Sequence, residues 1–150
     1  MTIQRTSSQD SSFQGLVDLL DSYLTGIDGD ENDFYAQFNA TAALAHCVVL
    51  YHKEVAVGCG AIKVFNNDTF EIKRMFVHPT ARGNGFAKEI VTALEDWARE
   101  LGAKRCVLET GKRMPDAVGL YKGLGYEQIE NYEPYIGVDN SMCYEKILYR

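Results

Sequence analysis

The feature that most constrains the fold is a run of three apolar stretches that follow one another almost without interruption. They cover residues 46–52, 55–65 and 69–77 and have the composition of β-strands. Only residues 53–54 and 66–68 separate them, which is the length of a hairpin loop. Parallel neighbours need a connection of a dozen or more residues. The three stretches therefore predict an antiparallel meander.

Helices and further strands surround this meander. A strand is predicted over residues 2–6 and an amphipathic helix over residues 11–25, because Phe13, Leu16, Val17, Leu20 and Leu24 recur at helical spacing. A second short helix is predicted over residues 32–39, with Phe34, Tyr35 and Phe38 on its apolar side. The other predicted elements are a long helix over 85–101, a strand over 105–109, a helix over 116–124 and closing strands over 126–129 and 142–148. This order predicts an α+β fold with one crossover in an otherwise antiparallel sheet.

Composition narrows the class of protein. A length of 150 residues favours one domain, 1–150, and the formal charge of −6 argues against a nucleic-acid binder, which would need a basic surface. The start of the chain has no signal-peptide core and no apolar run approaches the length of a membrane span, so we expect a cytoplasmic protein with no membrane partner. No CxxC pair is present, and we expect buried free thiols at Cys47, Cys59, Cys106 and Cys143.

A glycine-containing segment, residues 82–87 (RGNGFA), follows the last strand of the meander, 69–77, and leads into the long predicted helix over 85–101. Glycines let the backbone turn tightly, and the first N–H groups of a helix have no partner within the helix and favour anions. The segment is neither a GxxxxGK[ST] loop nor a GxGxxG loop, because Lys88 stands where the last glycine would be. Taken alone, the segment fits a phosphate-binding loop or a glycine-rich turn with a solvated arginine.

Two patterns together resemble those of the Gcn5-related N-acetyltransferase (GNAT) family. Residues 82–87 match [QR]-x-x-G-x-[GA]. About 35 residues later, A-x-x-L-Y-x-x-x-G-[FY] is matched by Ala117, Leu120, Tyr121, Gly125 and Tyr126. The resemblance implies a mixed, mostly antiparallel central sheet flanked by helices and splayed between its two central parallel strands, here 69–77 and 105–109.

The same resemblance implies an N-acetyltransferase that uses acetyl-CoA as co-substrate and no metal. It implies that the pantetheine arm pairs with Met75, Phe76 and Val77. It implies that the pyrophosphate is held by Arg82 and the backbone amides of Gly83, Asn84, Gly85, Phe86 and Ala87. A homodimer is compatible with the resemblance, and the residues do not determine the oligomeric state.

Tyr121 and Glu71 are the candidate catalytic residues. Tyr121 matches the family's tyrosine that lies near the sulfur of CoA and acts as general acid; the alternative is a packed aromatic side chain on the apolar face of its helix. Glu71 stands eleven residues before Arg82, close to where several relatives place a base. The alternatives are an exposed carboxylate paired with a lysine, and a base role for Glu109 or a water chain instead. Regular alternation along the strand would place Glu71, Lys73 and Met75 on one face and Ile72, Arg74 and Phe76 on the other.

Two details complete the predicted site. Many relatives carry Asn seven positions before the tyrosine, where Met114 stands here, and Thr110 or Lys112 could replace its contact with the cofactor. The three histidines show no metal-ligand spacing, and we expect structural or exposed positions for His46, His52 and His78.

The acceptor is the least constrained part of the function. In the family it is set by the first helices and the last loop, here residues 22–39 and 130–141. Both regions are acidic, with Asp28, Asp30, Glu31, Asp33, Glu130, Glu133 and Asp139, and the second is rich in tyrosine. We therefore predict a small-molecule primary amine. The alternatives are a protein or peptide amine, and a non-catalytic acyl-CoA-binding sensor on the same fold.

Overall fold

The structure, a computed structural model, describes residues 1–29, 34–35 and 44–148. Seven strands and three helices are defined within these residues. In chain order they are β1 (Thr2–Thr6), α1 (Ser11–Asp28), β2 (His46–His52), β3 (Val55–Asn66), β4 (Thr69–Val77), α2 (Phe86–Glu100), β5 (Arg105–Gly111), α3 (Pro115–Gly123), β6 (Glu127–Ile129) and β7 (Ser141–Ile147).

The predicted elements are confirmed, with bounds within two residues of those observed, apart from two. Helix α1 runs through Gly26 to Asp28, and Gly29, at φ 53°, ends it. The predicted end at residue 25 is therefore three residues early, because one glycine, Gly26, costs an otherwise favourable helix only about 1 kcal/mol. The helix predicted over 32–39 falls outside the described residues except for Phe34 and Tyr35, which are helical.

All seven strands form one sheet, in the order β1-β2-β3-β4-β5-β7-β6. Every neighbouring pair is antiparallel except β4 and β5, which are parallel and connected through α2. Strand β6 forms the edge of the sheet, and the chain then turns back to place β7 between β5 and β6. The predicted α+β class, with one crossover in a mostly antiparallel sheet, is confirmed.

The two central parallel strands separate along their length. Their pairing covers only Thr69↔Arg105, Phe70↔Cys106 and Glu71↔Val107. Beyond Glu71, β4 continues to Val77 and β5 to Gly111 without pairing to each other in the described structure. The predicted splay is therefore present. It leaves the backbone of both strands unpaired on the sides that face the gap.

The helices cover opposite faces of the sheet. Helix α1 packs on the face that carries Cys47, Val49, Cys59 and Ala61, and α2 packs on the face that carries Val48, Leu50 and Ile62. A Cβ added at Gly60 would lie 2.9 Å from atoms of both Ile90 and Leu94 on α2, so this glycine lets the helix lie close to β3. All four cysteines are free and buried, as predicted.

Strand β4 contains a bulge at Arg74. Its pairing with β3 steps from Ala61↔Lys73 to Cys59↔Phe76, so β4 has one residue more than β3 over this interval. Arg74 takes a left-handed conformation with φ 59°, which costs a residue with a side chain about 1 kcal/mol. The bulge lies at the point where β4 has just parted from β5.

The bulge reverses the alternation of side chains in the second half of β4. Ile72 and Met75 both pack in the core on the α2 side, while Phe76 packs in the cluster under α1. Arg74 also faces α1, where it forms an ion pair with Asp21. The prediction of strict alternation is therefore wrong from Arg74 onward, because one extra residue shifts the two-residue period.

Among the described residues, no helix is both long enough and apolar enough to cross a bilayer.

Candidate active site

The loop between β4 and α2 has the geometry of a binding site for anions. His78 accepts a hydrogen bond from the Thr80 amide and begins a 3-10 turn over Pro79–Ala81. Gly83 and Gly85 follow with φ of 82° and 75°, conformations that favour glycine. Gly85 is the N-cap of α2, and no described side chain caps this helix. The first amides of α2 are therefore free of a competing side-chain acceptor.

Two side chains of the loop hold its shape. Arg82 Nε donates to the carbonyl oxygen of Val77 at 3.0 Å, and the exposed guanidinium lies over the rings of Tyr23 and Phe76 at 5.5 and 5.9 Å. Asn84 Nδ2 donates to the carbonyl oxygen of Ala81 at 2.9 Å. The side chain of Asn84 is thus engaged within the loop, and what this residue can offer a ligand is its backbone amide.

A cavity of about 500 Å³ follows the gap between β4 and β5. It brings together all the predicted site residues except Asn84, namely Glu71, Met75, Phe76, Val77, Arg82, Gly83, Gly85, Phe86, Ala87 and Tyr121. At one end lie the glycine loop and the start of α2. At the other end lie charged and aromatic side chains of β4, β5 and the segment that precedes β7. The predicted cofactor and catalytic residues therefore share one continuous space.

Tyr121 lines this cavity from α3 and is only 6% exposed. Its ring meets that of Tyr126 edge to face, at 5.7 Å between centroids. Tyr126 donates to the buried carboxylate of Glu95 at 2.7 Å, and Lys146 donates to the same carboxylate at 3.0 Å. These bonds fix α3 to α2 and β7 and so fix the position of Tyr121. Burial raises the pKa of Tyr121 above its ordinary value of 10.0, so its hydroxyl keeps its proton at neutral pH.

Glu71 lies on the α1 side of β4, at the point where the two strands part. Tyr132 donates a hydrogen bond to Glu71 Oε2 at 2.8 Å, and Lys73 Nζ lies 3.8 Å from Oε1. The side chains of Glu71 and Lys73 are 13% and 9% exposed. Burial lowers the pKa of Lys73, while the nearby carboxylate of Glu71 acts in the opposite direction. The carboxylate of Glu71 is therefore a largely buried group that lines the cavity and is positioned by Tyr132 and Lys73.

The alternative residues considered from the sequence divide into those in the cavity and those outside it. Glu109 and Thr110 line it from the end of β5, and Met114 lines it from the N-cap of α3, whereas Lys112 is not part of the lining. The carboxyl group of Glu109 thus lies in the same space as that of Glu71.

The histidines have structural contacts. His46 packs against Trp97 at 4.9 Å between ring centroids, His52 packs against Phe86 at 5.2 Å, and His78 caps the 3-10 turn. Within the described part of the chain, no three potential metal-binding side chains cluster together.

Several side chains at the end of the cavity away from the glycine loop were not proposed as site residues from the sequence. Lys73, Arg74, Tyr135 and Asn140 line this end, and Asp21 and Tyr132 contact the lining residues Arg74 and Glu71. Tyr35 and Asn140 join through a hydrogen bond of 3.1 Å, and the Tyr35 hydroxyl lies 3.0 Å from Ser141 Oγ. The signal in the sequence was the tyrosine-rich composition of residues 130–141. Tyr132 and Arg74 have partners, Glu71 and Asp21, that are far away along the chain, and such pairs leave no pattern in the sequence.

Comparison with known proteins gives a consistent result. The sequence profile of the acetyltransferase (GNAT) family matches residues 13–126. A relative from Azospirillum brasilense, named IAA acetyltransferase, is 31% identical over 150 residues, which is 99% of this chain and 98% of that protein.

Solved structures show the same fold. An acyl-CoA N-acyltransferase structure from Klebsiella pneumoniae subsp. pneumoniae MGH 78578 aligns with a TM-score of 0.82 at 28% identity, over 99% of this chain and 97% of that one. A GNAT family acetyltransferase from Elizabethkingia anophelis, solved with acetyl-CoA bound, aligns with a TM-score of 0.73 at 15% identity, over 98% and 97% of the two chains. This chain therefore belongs to the GNAT family of acetyltransferases and is an acyltransferase.

Proposed function

We propose that this acyltransferase moves the acetyl group of acetyl-CoA directly to a primary amine of a small-molecule acceptor while both are bound. One observation carries the proposal. A single cavity joins an anion-binding helix start to a protonated tyrosine, Tyr121, and to a held carboxylate, Glu71. These are the three kinds of group that amine acetylation by a CoA thioester requires.

The helix end of the cavity is suited to the pyrophosphate of CoA. Gly83 and Gly85 have positive φ, and a Cβ at either position would meet no atom within 4 Å, so the loop leaves open space beside its amides. Arg82 is exposed at the same place and keeps donors beyond the one used on Val77. We assign the pyrophosphate to Arg82 and to the backbone amides of residues 83–87.

The pantetheine arm fits the splay. Met75, Phe76 and Val77 line the cavity, and Phe76 and Val77 pair with Cys59 and Gly58 of β3, so the opposite backbone edge of β4 faces the gap. Two amides of pantetheine can use the donors and acceptors that this edge leaves without a strand partner. The thioester would then lie between this strand and Tyr121 of α3.

Glu71 and Tyr121 have the roles of base and acid. A free alkylamine has a pKa near 10.4, so at neutral pH the acceptor arrives protonated and must lose a proton before attack. Glu71 takes that proton, directly or through a water. Tyr121, kept protonated by burial, donates to the departing thiolate of CoA.

We place the acceptor at the end of the cavity away from the glycine loop, which is called the acceptor end below. Tyr35, Tyr135 and Asn140 line this end. Asn140 Nδ2 donates to the Tyr35 hydroxyl, which also lies 3.0 Å from Ser141 Oγ, so residue 35 is joined to the start of β7. Glu71 and Glu109 line the same end, and their carboxylates suit the small amine that we propose as acceptor.

The test is a thiol-release assay over a panel of small amines and lysine peptides, with acetyl-CoA affinity measured separately by calorimetry. We expect turnover with small amines that exceeds the rate in buffer alone, and intersecting initial-rate lines when both substrates are varied. Parallel lines would contradict direct transfer, since they indicate an acetylated enzyme intermediate. Tight acetyl-CoA binding without release in the presence of any amine would contradict the amine-acetyltransferase assignment.

A further inference from the structure

We propose that the acceptor carries an anionic group near its amine, and that Lys73 and Arg74 of β4 bind that group. The inference rests on the proposed function, because it concerns the acceptor end of the same cavity. It specifies a zwitterionic class of acceptor, such as an amino acid or a phosphorylated amino alcohol, where the acidic composition of the sequence alone predicted only a cationic amine.

The bulge in β4 places two consecutive cations on one face of the sheet. In a regular strand, the side chains of Lys73 and Arg74 would point to opposite faces. Here both line the cavity, and Arg74 reaches Asp21 on α1. The arrangement costs backbone strain at Arg74, whose φ is 59°. Strain kept at a cavity wall is a recognised mark of a functional position.

The side chains of Lys73 and Arg74 are both buried, whereas Asp21, the ion-pair partner of Arg74, is exposed. The side chain of Arg74 is 1% exposed, whereas that of its partner Asp21 is 56% exposed. Arg74 Nε is buried and has no hydrogen-bond partner among the described residues. An unsatisfied buried donor on a charged group is costly, and a carboxylate or phosphate in the cavity would accept from it.

Lys73 adds a second buried cation one residue away. Its side chain is 9% exposed, and it lies 3.8 Å from the carboxylate of Glu71. Desolvation opposes its charged form, so an additional anion in the cavity would favour that form. A ligand anion between Lys73 and Arg74 would therefore relieve the desolvation of both.

The same end of the cavity also contains carboxylates for the amine. Glu71 and Glu109 both line it, and both act electrostatically on Lys73. A site with buried groups of both signs matches a ligand with charges of both signs separated by a few atoms. An amine without an anionic group would satisfy only the carboxylates and leave Arg74 Nε unpaired.

The experiment compares matched acceptors at saturating acetyl-CoA. One arm uses leucine, phenylalanine and glutamate, each with its α-amide and its decarboxylated amine; the other uses O-phosphoethanolamine with ethanolamine. We expect at least one anion-bearing acceptor to exceed its matched forms without the anionic group by about 10-fold or more in kcat/KM, mainly through KM. The amide has the less basic amine, so a preference for the acid cannot come from a larger amount of free amine.

Variants of the two cations identify the source of the preference. The readout is the ratio of kcat/KM for the anion-bearing acceptor to that for its matched form without the anionic group, because Lys73 also contacts Glu71 and absolute rates will change. We expect Lys73→Gln and Arg74→Gly to lower this ratio about 10-fold. Glycine accepts the positive φ at position 74, and Arg74→Lys, which keeps the charge, should retain most of the ratio. Lys63→Gln is the matched control, an exposed lysine on β3 opposite Glu71 and outside the cavity lining.

Three results would overturn the inference or separate it from the proposed function. Equal turnover of acceptors with and without the anionic group in every set would overturn the inference and leave the amine-acetyltransferase proposal intact. A rise in the acetyl-CoA dissociation constant of Lys73→Gln, with an unchanged acceptor ratio, would assign these cations to CoA phosphates instead. Acetyl-CoA binding with no turnover of any amine would contradict the proposed function itself.

Discussion

The two ends of the cavity are assembled from very different parts of the chain. The loop at the start of α2 is contiguous, with six successive residues, 82–87, and it offers ligands mainly backbone amides. The proposed acceptor end depends on side chains from distant segments, since Tyr132 lies 61 positions after Glu71 and Arg74 lies 53 positions after Asp21. A site made of contiguous backbone tolerates most side-chain changes, whereas a site made of distant side chains loses its function when one of them is removed.

The largest effect is expected from Glu71→Gln at the acceptor end. Glutamine keeps the size of the side chain and can still accept from Tyr132, but it cannot take a proton. General-base catalysis contributes about 10²-fold or more, and we expect kcat to fall by that amount in steady-state thiol release. Glu127→Gln on exposed β6 is the control and should match the parent enzyme. If kcat of Glu71→Gln stays within twofold of the parent, Glu71 is not the base, and Glu109 or a water takes the proton instead.

Tyr121→Phe should have the next largest effect, about 10- to 100-fold on kcat, because in the proposed mechanism the hydroxyl donates to the leaving thiolate. Acetyl-CoA affinity should change little, since the ring remains. The pH dependence has a definite sign. Burial raises the pKa of Tyr121 above 10.0, so the acid form persists as pH rises, and kcat should show no alkaline decline from this group below pH 10. An unchanged kcat in the variant would show that Tyr121 is not the general acid and that its ring serves only in packing.

At the loop end, Arg82→Ala should raise the dissociation constant of acetyl-CoA about 10-fold, or about 1.4 kcal/mol, as measured by calorimetry. The effect is moderate because the backbone amides remain in place. Arg99→Ala provides the comparison, since Arg99 lies in the last turn of the same helix and pairs with Asp96. If both variants bind acetyl-CoA like the parent, the pyrophosphate does not lie at Arg82.

Tyr132→Phe tests a residue that positions Glu71 at the acceptor end of the cavity. It removes one hydrogen bond to Glu71 and keeps the ring, which packs against Phe65 at 4.8 Å between centroids. We expect kcat/KM for the acceptor to fall about fivefold, or about 1 kcal/mol, with unchanged acetyl-CoA affinity. A selective loss of acetyl-CoA affinity would show that this segment serves the other end of the cavity.

The smallest effect is expected from Asn84→Ala within the loop. The side chain of Asn84 contacts only the loop's own carbonyl oxygens in the described structure, while its amide remains after substitution. Acetyl-CoA affinity should stay within about twofold, because one exposed neutral hydrogen bond contributes little. A 10-fold loss would mean that the loop binds through side chains, and the contrast between the two ends would disappear.

The same contrast explains which parts of the structure could be predicted. Apolar periodicity located the strands and helices, because burial of one face leaves a two-residue or 3.6-residue repeat in the sequence. The loop at residues 82–87 was recognisable because its glycines, the strand before it and the helix after it are adjacent along the chain. Met75, Phe76 and Val77, which the resemblance assigns to the pantetheine arm, likewise form a contiguous strand end, and all three line the cavity.

The bulge could not be predicted. Nothing in the residues around Arg74 marks it as the site of an extra residue, since the pairing with β3 and the departure from β5 together determine where the register shifts. The order of β6 and β7 depends in the same way on which edge of β5 is available.

The sequence by itself determined the order of the strands and helices and the strand–loop–helix unit around residues 82–87, since each depends on neighbours within a few residues. Tyr121 was proposed for the site through the resemblance to a family. Only the tertiary structure decided that Glu71 is held by Tyr132 and that Lys73 and Arg74 share a face of the sheet. The physical reason is that local conformation follows from nearby residues, whereas the environment of a charge depends on whatever the fold brings within a few ångströms of it.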